Sequence, residues 1–199
     1  MREFTNPWRN FIVNDEAGTV MCDYPTDVAK PKIPITYCEE TMHGFEYALA
    51  GLMLSRGHDA DALRGIKAVR DRYAGFNRNP YNEIECGSNY IRSMASFAFL
   101  PILSGFVFDL PHEKIGFRPK HGGDFRCLWS LGTGWGHYER KSNITEIILQ
   151  SGSLKLSTLF LPDVNPKSVE IDGKPVEFNA ENGAITFAST LVKKSIVVK

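Results

Sequence analysis

The chain has 199 residues, 43% of them hydrophobic, enough for one substantial core or two small ones, which excludes both a disordered tail and a disulfide-stapled miniprotein. Lys plus Arg number 23 and Asp plus Glu number 23. The formal net charge of zero leaves no global field to draw in a phosphate backbone or an anionic membrane, so nucleic acid is not an expected partner.

The opening segment, MREFTNPWRNF, is too polar for the apolar region of a signal peptide, and no run in the chain approaches the length of a membrane span. A soluble protein is the expectation, with the compartment open and the cytoplasm one candidate. Pro25, Pro31 and Pro34 bias their predecessors away from helix, so residues 1–40 read as an extended, proline-rich segment that must pack on a neighbouring surface.

Residues 41–114 change to helical spacing. A first helix is predicted from near Thr41 through GFEYALAGLMLSRG, with Phe45, Leu49, Leu52 and Met53 on one side and Gly57 as its stop. A second, through ADALRGIKAVRDRYAG, places Leu63, Ile66, Val69 and Arg70 in a half-buried stripe, and the short connection predicts a helical hairpin. The third, SNYIRSMASFAFLPILSGF, is apolar around most of its circumference, as a helix inside a larger helical assembly would be.

Over residues 115–199 the period shifts toward two. EIILQ, SLKLSTLFL, SVEI, PVEF, AITFA and KKSIVVK read as strands of an antiparallel sheet or sandwich, with an Asp-Gly turn in IDGK.

Three groups of residues could carry chemistry. The densest is RNPYNEIECGSNYIRSMAS, where Glu83, Glu85, Asn89, Tyr90 and Arg92 precede an apolar run. Carboxylates accept from vicinal hydroxyls, a guanidinium donates, and an aromatic face covers C–H groups, so this set suits a polyhydroxylated ligand. Arg92 could equally pair with Glu83 or Glu85 and fasten the loop. Glu83 and Glu85 are too close in sequence to bracket a sugar ring, because a glycosidase holds its two acids about 5 to 10 Å apart.

The second group is Glu39, Glu40, His43 and Glu46, where an acidic residue also complements the positive end of a helix and His43 also suits a packed position. The third is DFRCLWSLGTGWGHYER, whose Trp129 and Trp135 could stack on sugar rings or fill a core. LGTGWG is not a phosphate loop, since no GKS or GKT follows. Cys22, Cys38, Cys86 and Cys127 form no CxxC pair, and the five histidines show no HExxH spacing, so no metal or cofactor is expected.

NPWRNFIVNDEAGTVMCDYP, EETMHGFEYALAG, VRDRYAGFNRNPYNEIECGSNYIRSMAS and FRCLWSLGTGWG together resemble the C-terminal part of the catalytic region of glycoside hydrolase family 116, which includes non-lysosomal glucosylceramidases and bacterial β-glucosidases. The resemblance spans nearly the whole chain. It implies a retaining β-glycosidase acting on a β-glycoside or oligosaccharide, with an (α/α)6 barrel of which residues 41–114 would be the C-terminal portion, followed by the β-rich region. It further implies that Glu83 and Arg92, nine positions apart, hold sugar hydroxyls, with Glu85 in support. Met42 stands about where the family commonly has an aromatic.

The family's nucleophilic Glu and acid/base Asp belong to earlier barrel segments, including a DQTYD-like motif, and no such motif occurs here. The expectation is therefore a piece of a glycosidase with no catalytic residue of its own. A missing N-terminal barrel portion would be its partner. The competing expectation is a noncatalytic carbohydrate-binding module or a structural fragment.

Overall fold

The computed structural model describes residues 12, 15–29, 31–32, 40–81 and 92–199. They form two compact units, Met1–Phe99 and Leu100–Lys199.

In the first unit, α1 (His43–Ser55) packs against α2 (Asp59–Arg72) and against a short 3-10 helix, Ser93–Ala98. Gly57 stops α1 as expected. It takes φ +85°, open to glycine without steric cost, so that its N–H reaches Leu54 O at 3.2 Å and the N–H of His58 reaches Met53 O at 2.9 Å, closing the helix end. Asp59 and Asp61 in the first turn of α2 and Arg70 and Arg72 in its last complement the helix dipole.

The buried faces differ from the expected apolar stripes. α1 buries His43, Gly44, Glu46, Ala50, Gly51 and Leu54, leaving Phe45 and Leu52 exposed; α2 buries Ala62, Val69 and Arg72, leaving Leu63 exposed. Gly44, Ala50, Gly51 and Ala62 contribute to these faces because small residues admit close approach of neighbouring backbone and side chains. A Cβ on Gly44 would sit 2.7 Å from Cβ of Arg92.

The expected third long helix is broken. Over its described part it becomes the 3-10 helix Ser93–Ala98 and then α3 (Phe99–Ser104), six residues long. Pro101 explains the break: its ring and missing N–H are tolerated in the first turn of a helix, so the α-helix restarts just before it.

The second unit is a β-sandwich. One sheet has the order β1 (Val107–Asp109), β2 (Lys114–Gly116), β6 (Leu154–Phe160), β10 (Ala184–Val192), β9 (Phe178–Glu181). The other runs β3 (Phe125–Leu131), β4 (Gly134–Lys141), β5 (Ile144–Gly152), β11 (Ser195–Val198), β7 (Val169–Ile171), β8 (Lys174–Pro175). The pairings are antiparallel except β2 with β6. Inward residues of both sheets, among them Ile115, Leu156, Leu159 and Ile185 from the first and Trp129, Tyr138, Ile147 and Ile196 from the second, form one core. Phe117 stacks on Tyr138 with ring centroids 4.3 Å apart.

Asp172 and Gly173, both at positive φ, make the expected turn between β7 and β8. Asn182 and Gly183 make another between β9 and β10. Pro175 lies on β8, an edge strand where no ladder N–H is required of it.

This architecture overturns the expectation of an (α/α)6 barrel portion. Among the described residues there are three α-helices, one of six residues, against eleven strands in two sheets. Helical hairpins repeated around a ring need long helices with continuous apolar faces. Pro101 interrupts the one run that suggested such a helix, and the hairpin of α1 and α2 buries a mixed face of small, apolar and ion-paired residues instead.

Candidate functional site

Glu83, Glu85, Asn89 and Tyr90 lie outside the described residues. Arg92 is half-buried just before the 3-10 helix, and its stem lies along Gly44. Its guanidinium carbon sits 5.4 Å from the centre of the Phe45 ring, a cation–π arrangement. The fold thus brings Arg92 to the first turn of α1, beside Glu40, His43 and Glu46 of the second group, whose remaining member Glu39 lies outside the described residues.

That group is buried. His43 is 1% exposed and meets the Tyr73 ring edge-on, with centroids 5.5 Å apart. Glu40 accepts the N–H of Thr41 at 3.0 Å. Glu46 forms a two-pronged ion pair with Arg72, the second contact being 3.2 Å from Nη1 to Oε1, and accepts the N–H of Thr19 at 2.7 Å. Arg72 also donates to the carbonyl of Ala17, and Arg78 pairs with Glu16 through two contacts. Two arginines therefore clamp residues 16–19 onto the hairpin. The Glu46 carboxylate is committed to that clamp.

The two tryptophans have opposite fates. Trp129 is 2% exposed and belongs to the sandwich core, whereas Trp135 is 47% exposed. Strand register explains the difference. Leu131 pairs with Gly134 across a two-residue turn, which sets Trp129 opposite Gly136 and turns its neighbour Trp135 to the other face.

On that outer face Trp135 borders a shallow concavity of about 450 Å³ lined by Arg126, Cys127, Leu128, Trp135, Gly136, His137 and Gln150. The register builds it: Leu128 pairs with His137, which pairs with Ile148, and Ser130 pairs with Trp135. A shift in the ladder between Trp135 and Gly136 sets Gly136 opposite Leu149 while Trp135 faces Ser151, leaving Gln150 as the extra residue beside the indole. Gln150 Nε2 lies 3.4 Å from His137 Nδ1.

Burial pushes the Cys127 thiol up to about 11, against smaller opposing effects of hydrogen bonds with Ser104 and the Tyr138 backbone. It is a thiol at neutral pH and a poor nucleophile. Among the described residues no group of three or more His, Cys, Asp or Glu side chains is placed to hold a metal ion, and no helix is long and apolar enough to cross a membrane.

Leu128, His137, Gln150 and Arg126 escaped the sequence reading. The signal that could have found Arg126, Leu128 and His137 is strand parity: once the turn at Gly132–Thr133 is assigned, every second residue of the two strands falls on the face of Trp135, whereas Gln150 is set by the ladder shift on β5. No family model matches the chain. No curated protein matches it either.

Proposed function

We propose that this protein is a noncatalytic glycan-binding element of the β-glycosidase type its sequence blocks resemble, and that it holds sugar against the outer face of β3, β4 and β5. The observation that carries this reading is the half-exposed indole of Trp135 over a shallow concavity with amide, imidazole and guanidinium groups at its border. An indole covers the C–H face of a pyranose, and the flanking polar groups meet its hydroxyls.

Retaining hydrolysis needs a nucleophile and an acid about 5–5.5 Å apart across the sugar. The concavity has no carboxylate among its lining residues, so its chemistry is holding rather than cleaving. Calorimetric titration with β-linked oligosaccharides tests the reading. Saturable binding by the wild type, lost in Trp135→Ala, supports it, and turnover of an aryl β-glucoside by the purified chain contradicts it.

A second reading assigns sugar hydroxyls to Glu83 and Arg92. The placement of Arg92 on the first turn of α1, beside Phe45, favours it. Glu83→Gln then weakens binding even in a chain whose Trp135 is intact, a loss the first reading does not produce.

A further inference from the structure

The polar character of the Trp135 concavity narrows the kind of sugar it takes. Neutral glycans are commonly gripped by acceptors as well as donors, because each pair of vicinal hydroxyls offers protons that a carboxylate receives. Here the charged or ionisable side chains that strand parity turns toward the concavity are Arg126 and His137, with the Gln150 amide beside them, while the Cys127 thiol packs against the core. The Gln150 side-chain amide lies 3.4 Å from His137 Nδ1, so the two polar groups sit together on this face.

The one carboxylate opposite Arg126 in the ladder is Glu139, and it engages Nε at 3.9 Å. Both side chains are largely in solvent, 64% and 37% exposed, and at that distance and exposure the pair holds the guanidinium weakly. A planar fork so loosely held, lining the same concavity as the Trp135 indole, suits a carboxylate carried on a sugar ring, which can take both of its donors at once.

Resting on the reading that the Trp135 face binds glycan, we infer that its ligand is an acidic glycan, a β-linked chain of uronic acid residues, with the indole under one ring and Arg126 on the carboxylate at C6. Binding buries little area and depends on a charge-assisted contact at the surface, so it weakens with salt.

The test compares two probes that differ only at C6, cellotetraose and its fully C6-oxidised β-1,4-tetraglucuronate, titrated calorimetrically into the full chain at low ionic strength. Tetraglucuronate binds about tenfold more tightly than cellotetraose, the gain of one charge-assisted hydrogen bond over a neutral one. Arg126→Gln removes that preference, bringing tetraglucuronate down to the affinity of cellotetraose in the same variant, and Arg118→Gln, a charge loss at an exposed position outside the concavity, preserves it. Equal or tighter binding of cellotetraose by the wild type overturns the acidic-glycan inference and leaves glycan binding standing. A preference lost equally in Arg118→Gln overturns it as well, by showing only a general charge effect. If neither probe binds, the proposed function fails and the inference with it.

Discussion

At the scale of single residues, the two tryptophans of the β3–β4 hairpin show how one residue type serves two ends. Trp129→Ala opens a large hole in a closed core and costs about 3–5 kcal/mol in urea unfolding. Trp135→Ala removes a half-exposed ring, shifts the unfolding midpoint little, and abolishes oligosaccharide binding. Asp172 is the sharper electrostatic case. Burial raises its carboxyl, but N–H donors from Ser195, Lys194 and Lys193 together with the Lys194 charge outweigh that and hold it below the ordinary carboxylate value. Because the folded value is depressed, the stabilisation is complete above the unfolded value of about 3.9 and is lost as pH falls through the folded one. Asp172→Asn keeps a side chain that tolerates φ +50° but removes the charge and turns one of the two accepting oxygens into a donor. It costs about 1–3 kcal/mol at pH 7 by thermal or urea melts, and the difference from wild type shrinks on acidification below about pH 4.

At the scale of elements, local rules that depend on neighbours in sequence were legible, and rules that depend on distant partners were not. Gly57 ending α1 and the Asp-Gly turn between β7 and β8 follow from backbone sterics within a few residues, and the structure has both. The buried face of α1 differs from the apolar stripe because hydrophobicity pointed to Phe45 and Leu52, while the neighbours actually present, Arg92 and the clamped segment 16–19, select Gly44 and Glu46. Nothing near Glu46 in sequence announces Arg72, 26 positions away, as its partner. That pair is buried on both sides, so Arg72→Met strands a charge and destabilises the first unit by about 3–5 kcal/mol, with the double replacement Glu46→Leu, Arg72→Met costing less, as chemical denaturation will show. The β4–β5 ladder has its own sensitive point. A Cβ on Gly136 would fall 1.8 Å from the carbonyl oxygen of Ile148, so Gly136→Ala forces the strands apart at the site of the register shift. The expected loss is about 1–3 kcal/mol, accompanied by weakened glycan binding because Trp135 and Gln150 flank the shift.

At the scale of the whole molecule, the strands of residues 115–199 could be read from alternation, but their division into two sheets could not. β6 pairs with β10 and β5 with β11, so the sheets interleave along the chain, and only the shared core around Trp129, Tyr138, Leu159 and Ile196 unites them. The barrel expectation failed for a related reason. An apolar run has no marker that tells a long helix inside a ring from a 3-10 turn and a short helix separated at a proline, and Pro101 decided the matter. The candidate glycan face emerges only at this scale, from three strands brought into register, which is why Trp135 alone of its members was visible in the sequence.

The most direct test of a glycan bound on that face is a two-dimensional NMR titration of the isotopically labelled chain with a β-linked oligosaccharide. The account predicts saturable shifts at the Trp135 indole N–H and at the amides of Leu128, His137 and Gln150, with the core Trp129 indole unmoved. Shifts that centre on α1 and α2 and spare Trp135, or none at all with neutral and acidic oligosaccharides alike, would contradict it.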